Sequence, residues 1–171
     1  MQFGGKFCAA CGFKKMSQNS DVSQIYIIGK LSTMKISLPV PTVIFDDEAT
    51  IIELLERITS KVDQLDTAKF SDPVKALRHI RKVQARIVMV DIRMPELNGT
   101  EVIRACRSFP WHIDFIVISA VGNLKEGQDC YNLGASRIIL KPFKVAAVEN
   151  ALQNSLNRIL EWNQLVDDCA V

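Results

Sequence analysis

Short apolar runs alternate with segments of helical periodicity from about residue 42 to the C-terminal part of the chain. Runs rich in β-branched residues predict five strands, at 42–46, 64–70, 86–91, 114–120 and 136–140. Apolar residues three or four apart predict helices at 51–58, 73–81, 100–108, 124–135 and 148–162. This alternation indicates βαβ units. We therefore expect an α/β fold: a flavodoxin-like, doubly wound, five-stranded parallel sheet in a three-layer αβα sandwich.

Two of these elements carry weaker signals. The strand at 64–70 interrupts its apolar residues with Asp66 and Lys69. The helix at 124–135 contains Gly127, a residue of low helix propensity. We expect that fourth helix to be marginally stable and mobile.

Polar residues stand where the predicted strands end. Asp46 and Asp47 end the first strand, Asp91 the third, Ser119 the fourth and Lys141 the fifth. The carboxyl ends of parallel strands share one edge of a sheet, and ligands bind there. Converging carboxylates repel one another unless a cation joins them, and Mg²⁺ prefers such hard oxygen ligands. The pattern predicts a magnesium site.

The same residues suit phosphoryl transfer. An aspartate can accept a phosphoryl group covalently, and Asp91 ends the central strand directly before a turn. Lys141 would pair with a phosphoryl oxygen as a compact charge, and the Ser119 hydroxyl would bind another. Each feature alone is a common turn or cap signal, and only their combination favours this chemistry.

From Val43 to about Leu160 the sequence resembles a response-regulator receiver domain. The matching stretches are VIFDDE, IVMVDIRMPELNG, VISA and GASRIILKPF. The resemblance implies that Asp91 takes a phosphoryl group from a histidine kinase or phosphotransfer protein. It also implies that Asp46, Asp47, Asp91 and the backbone carbonyl of Arg93 hold Mg²⁺, that Ser119 moves toward the phosphoryl group, and that Lys141 pairs with it. Such a protein is a phosphoacceptor with autodephosphorylation rather than a dedicated enzyme.

Two positions depart from the family pattern. Ile138 stands where the family usually has an aromatic side chain that changes rotamer on activation. Arg93, two residues after the acceptor, places a cation where it could pair with an acid or hinder an attacking water. We expect the fourth helix, fifth strand and fifth helix to form the face that binds a downstream protein, with a smaller shift than is usual.

Composition and charge limit the other functions that the chain could have. The chain is 48% hydrophobic and carries a net charge of +2, without a clustered basic patch or a long apolar run. We expect a cytoplasmic protein that binds neither nucleic acid nor membrane. We expect residues 1–40 to be a flexible extension, 41–165 the receiver domain and 166–171 a tail. Nothing after residue 171 offers an output function, so the receiver would stand alone.

Several alternatives stay open at this point. Cys8 and Cys11 form half of a zinc site, although Met34 could also be the natural start of the chain. Trp162 and Leu165 suit either local packing or a homodimer contact. A haloacid-dehalogenase-like phosphatase expects a second aspartate at the position of Arg93. A receiver-shaped scaffold that works without phosphorylation is the other competing function.

Overall fold

A computed structural model describes residues 35–95, 98–120 and 124–170 of the 171-residue chain. The described residues fall into two compact units. The larger is Leu38–Ser155, and the smaller contains residues 35–37 and 156–170.

Strands and helices alternate along the described residues from Val40 to Ala170. The strands are β1 (Val40–Phe45), β2 (Leu65–Phe70), β3 (Ile87–Val90), β4 (Asp114–Ser119) and β5 (Ala135–Leu140). The helices are α1 (Ala49–Thr59), α2 (Pro73–Val83), α3 (Gly99–Cys106), α4 (Leu124–Asn132) and α5 (Val145–Ala170). No helix among the described residues is both long and apolar enough to cross a bilayer.

All five strands are parallel and belong to one sheet, in the order β2-β1-β3-β4-β5. This is the strand order of flavodoxin-like folds: β2 lies on one side of β1, β3 lies on the other side, and the strand order therefore reverses between β1 and β3. The predicted fold class is confirmed, and the reversal point lies beside the ends of β1 and β3.

The central strands are buried on both faces. Every residue of β3 and β4 is buried, which explains their unbroken apolar sequences. Alternate strand residues such as Val88 and Phe115 share one apolar cluster with side chains of α2, α3 and α4, including Ile80, Val102 and Cys130. Because successive strand residues face opposite sides, the other set, such as Met89, lies on the opposite face.

Three element boundaries differ from expectation. β1 begins at Val40 and includes Pro41, whose carbonyl accepts a hydrogen bond from Arg86 N at 2.8 Å. The helix that contains Gly127 was predicted correctly, but α4 ends at Asn132 and not near residue 135. α5 extends to Ala170, beyond the predicted end near residue 162, and Val166 is buried.

In the smaller unit, a side-chain amide holds the backbone of the segment before β1. Asn163 Oδ1 accepts a hydrogen bond from Ile36 N, and Asn163 Nδ2 donates one to Ile36 O, both at 2.8 Å. Lys35 also forms an ion pair with Asp167. Residues 35 and 36 are thereby attached to the C-terminal half of α5.

Candidate functional site

The register of the sheet brings the predicted site residues to one edge. Phe45 pairs with Val90, so the residues that follow them, Asp46 and Asp91, leave adjacent strands at the same level. The amide of Asp91 donates to Phe45 O at 2.9 Å, which fixes the end of β3 against β1. Both carboxylate residues are buried although they are charged, with 1% and 4% exposure.

Lys141 reaches this corner from the end of β5. Its ammonium Nζ lies 2.9 Å from Asp46 Oδ2, 3.1 Å from Asp91 Oδ2 and 2.7 Å from Glu48 Oε1. Its amide donates to Ser119 O at 2.9 Å, so the ends of β4 and β5 are joined there. The structure therefore brings Asp46, Asp91 and Lys141 together, as their positions in the sequence predicted.

The third acid in the cluster is Glu48. Oxygen atoms of Asp46, Glu48 and Asp91 lie within 4.8 Å of one another. The backbone stays extended at Glu48, which is the N-cap of α1 with φ −85° and ψ 107°. In extended chain, alternate residues face the same side, so Glu48 lies on the side of Asp46, although its side chain is 54% exposed. Period-two spacing in the Asp-Asp-Glu run could have revealed it. The metal-binding role of Asp47 stays a prediction.

The charges of this cluster do not balance. Three carboxylates surround a single ammonium, which leaves a formal charge of −2 when all are ionised. Burial raises the pKa of Asp46 above its ordinary value, although hydrogen bonds from Lys141 and from the Glu48 amide act in the opposite direction. The Lys141 pKa is also raised, because its hydrogen bonds to the carboxylates outweigh the effect of burial. A divalent cation would supply the missing positive charge.

Ser119 supplies a second sign of an incomplete site. Its side chain is fully buried, and its hydroxyl oxygen has no hydrogen-bond partner among the described residues. A buried hydroxyl without a partner is costly, by about 1–3 kcal/mol. Its position at the end of β4, joined to Lys141 through the backbone, suits a hydroxyl that binds an oxygen of an incoming group.

The turn after Asp91 explains the Asn-Gly pair of the motif. Asn98 caps α3 by accepting a hydrogen bond from Thr100 N at 3.0 Å, and Glu101 accepts one from Asn98 N at 3.2 Å. A Cβ atom added to Gly99 would lie 2.0 Å from Asp91 O. Glycine is therefore required because the start of α3 touches the backbone of Asp91.

Arg93 lies on the same turn, and both its backbone amide and its guanidinium contact acidic side chains. Its backbone amide donates to Asp91 Oδ1 at 3.3 Å. Its guanidinium forms an ion pair with Glu126 in the first turn of α4, at 3.2 Å. The expectation that Arg93 could pair with an acid is confirmed. The partner was not evident from the sequence, where the two residues are 33 positions apart.

Ile138 of β5 is partly buried against the apolar cluster under α2, α3 and α4. The connection 121–123 after Ser119 lies outside the described residues, as do residues 96 and 97 of the turn. Cys8 and Cys11 also lie outside them, so the zinc hypothesis stays a prediction.

A flavodoxin-like sheet with buried acids at the ends of β1 and β3 and a lysine after β5 defines a class of small α/β domains with an acidic site at the sheet edge. The family model of the response regulator receiver domain matches residues 42–153. The chain belongs to that family.

Individual relatives are distant in sequence and similar in length to the matched region. The chain is 26% identical to sporulation initiation phosphotransferase F of Bacillus subtilis, over 66% of this chain and 90% of that protein. It is 29% identical to the chemotaxis protein CheY of Thermotoga maritima, over 64% of this chain and 91% of that one. A CheY-like receiver domain structure from Methanospirillum hungatei superimposes with a TM-score of 0.65 at 21% identity, covering 73% of this chain and 98% of that one.

Proposed function

We propose that the chain is a phosphoacceptor of two-component signalling, in which Asp91 receives a phosphoryl group from a histidine kinase or phosphotransfer protein. The observation that carries this proposal is the position of Lys141, whose ammonium contacts both Asp46 and Asp91 at the sheet edge. Membership of the receiver family supports it. In the proposed reaction, an Asp91 carboxylate oxygen attacks phosphorus, and the bond from phosphorus to the donor's imidazole nitrogen breaks.

Magnesium is the proposed cofactor. Asp46 and Asp91 are fixed and buried, and the backbone carbonyl of Arg93 lies on the adjoining turn. Asp47 and Glu48 are the further carboxylates proposed for this site, since both follow Asp46 where β1 ends. When bound, the ion offsets the charge on the phosphoryl oxygens.

Lys141 and Ser119 have separate proposed roles. Lys141 offsets charge on a phosphoryl oxygen after exchanging its contact with the Asp91 carboxylate for one with the new group. The Ser119 hydroxyl donates to another phosphoryl oxygen and gains the partner that it lacks among the described residues. Hydrolysis then requires water to attack phosphorus and break its bond to the Asp91 oxygen.

The movement of Ser119 is proposed to reach the output face formed by α4, β5 and α5. Ile138 has no ring to turn inward behind Ser119, so we expect a smaller shift that depends strongly on the Ser119 hydroxyl. We propose that signalling proceeds by binding a downstream protein, in the cytoplasm. The receiver boundaries 41–165, the stand-alone arrangement and a homodimer through Trp162 and Leu165 stay predictions.

Intact-mass measurement after incubation with acetyl phosphate tests the proposal. We expect a phosphate adduct on the wild type with magnesium, loss of the adduct in Asp91→Asn, and an unchanged adduct in the control Asp66→Asn. Asp66 is an exposed aspartate of β2. An undiminished adduct in Asp91→Asn would remove that residue from its proposed role. A wild type that takes no phosphate from any donor would favour the phosphorylation-independent scaffold.

A further inference from the structure

One ion pair joins the turn after Asp91 to the first turn of α4. Arg93 Nε and Nη2 both lie 3.2 Å from Glu126 Oε2, and Nη2 lies 3.4 Å from Oε1. The guanidinium thus presents two nitrogens to one carboxylate, an arrangement that restricts the orientation of the side chain. Part of the pair is sheltered, because the Glu126 side chain is 27% exposed.

Both residues are also fixed by other interactions. The Arg93 amide contacts Asp91 Oδ1, so the arginine side chain starts beside the carboxylate proposed to carry the phosphoryl group. Glu126 lies in the first turn of α4, where the helix dipole favours a negative charge. The pair therefore links the acceptor turn to a helix whose interior contains Gly127, a residue that lowers helix stability.

A phosphoryl group on Asp91 would compete with Glu126 for the guanidinium. The acyl phosphate at Asp91 would carry up to about two negative charges where the carboxylate carried one, and it would present three strong acceptor oxygens. Arginine binds phosphate oxygens in the same two-pronged manner as it binds a carboxylate. The new anion would form beside the Arg93 backbone, whereas Glu126 belongs to a different element.

We propose that Glu126 is a positioning residue for the phosphoryl site: it holds Arg93 away from Asp91 until a phosphoryl group draws the guanidinium across. This inference rests on the proposed function, because it needs phosphorylation at Asp91. Transfer of Arg93 to the phosphoryl group removes one contact between the acceptor turn and α4. The exchange provides a route from Asp91 to the output face that does not use Ile138.

Binding of a phosphoryl mimic measures this competition. If the mimic can bind fully only after the ion pair has broken, the free energy of the pair opposes binding. Removing Glu126 should therefore strengthen binding of the mimic by the free energy of the pair. The free energy of a partly exposed ion pair of this kind corresponds to a change of roughly two- to fivefold in a dissociation constant. We therefore expect Glu126→Gln in the full chain to bind beryllofluoride roughly two- to fivefold more tightly in saturating magnesium, as measured by titration calorimetry.

Four further variants distinguish positioning of Arg93 from a general effect of charge. Asp129→Asn removes a negative charge from an exposed position of the same helix, and we expect wild-type affinity. Glu126→Asp keeps the charge and should stay close to the wild type. Arg93→Gln should bind more weakly than Glu126→Gln, and adding Glu126→Gln to it should change nothing further.

The outcomes distinguish this inference from the function on which it rests. If Glu126→Gln tightens binding equally with and without Arg93, or leaves it unchanged while the wild type binds, the positioning role is wrong and the phosphoacceptor function stands. If the wild type does not bind beryllofluoride at all, both fail. As a second readout, amide hydrogen exchange in the first turn of α4 should rise equally in Glu126→Gln and Arg93→Gln without the mimic. Faster exchange there in neither variant would also overturn the proposal.

Discussion

Gly99 offers the sharpest test of how the fold positions Asp91. It is the first residue of α3, and a Cβ added there would lie 2.0 Å from Asp91 O and 2.9 Å from Ile92 Cα. Both atoms belong to the backbone at the end of the central strand, so neither can rotate away as a side chain would. In Gly99→Ala, helix and strand end must separate by about 1 Å or more to reach an ordinary contact distance.

The energetic consequence follows from two opposing effects. Alanine in place of glycine in a helix favours folding by up to about 1 kcal/mol. Forcing a methyl group into a closely packed backbone contact costs about 1–3 kcal/mol, and occasionally more. The hydrogen bonds from Gly99 N to Ile92 O and from Asp91 N to Phe45 O, both 2.9 Å, resist the separation. We therefore expect Gly99→Ala to lower the free energy of unfolding.

The same displacement should impair phosphorylation. Asp91 Oδ2 lies 3.1 Å from Lys141 Nζ, and a shift of about 1 Å in a reacting group can reduce a rate by about 10²-fold. Intact-mass time courses with acetyl phosphate measure this rate, and urea denaturation measures the stability.

Gly127 provides the matched control. It lies within α4, and a Cβ added there meets nothing within 4 Å. Gly127→Ala should raise stability by about 0.5–1 kcal/mol. The two glycine-to-alanine changes are thus expected to have opposite signs. A Gly99→Ala protein as stable and as readily phosphorylated as the wild type would refute the reasoning from the contact with Asp91.

Three other predictions concern the acidic corner. Magnesium affinity, measured by calorimetric titration, should fall further in Asp46→Asn or Asp91→Asn than in Asp47→Asn or Glu48→Gln, because the first two carboxylates are buried and fixed; equal losses in all four variants would contradict this. Burial raises the pKa of Asp46, so its stability contribution is full below the unfolded value of about 4 and is lost as the pH rises through the folded pKa. In urea titrations without magnesium, the free energy of unfolding of the wild type minus that of Asp46→Asn should therefore decline as the pH rises from about 4 toward neutrality. If this difference rises instead, the pKa of Asp46 is not raised in the folded protein. Ser119→Ala should raise the free energy of unfolding of the unphosphorylated protein by about 1–3 kcal/mol, because it removes a buried hydroxyl that has no partner among the described residues. It should also reduce the beryllofluoride-induced changes in hydrogen exchange of α4, β5 and α5, and undiminished changes there would count against the hydroxyl.

The sheet and most of its functional edge were predictable because the relevant signals are local. Buried parallel strands have unbroken apolar sequences, and such runs stop where a polar group must reach the solvent or a ligand. Asp91, Ser119 and Lys141 each stand at such a stop. Since all strands point the same way, their ends had to meet at one edge.

Other features depend on geometry that residue spacing does not contain. Which of three successive acids turns inward depends on how far the chain stays extended after Phe45, and that extension brings in Glu48. Proline is usually found at the edge or the start of a strand, so the sequence did not predict that β1 includes Pro41. The pairing of Arg93 with Glu126 depends on the packing of two separate elements and has no sequence signature.

The attachment of Ile36 by Asn163 has a consequence for how the chain tolerates substitution. Both hydrogen bonds end on the main chain of residue 36, so they recognise a peptide unit and not an isoleucine. Replacement by alanine or serine would keep both, whereas proline would delete the donor. At position 163 even aspartate, which has nearly the same shape, loses the donating half of the contact. The two hydrogen bonds therefore constrain the amide side chain at position 163 strictly, whereas at position 36 they exclude only proline.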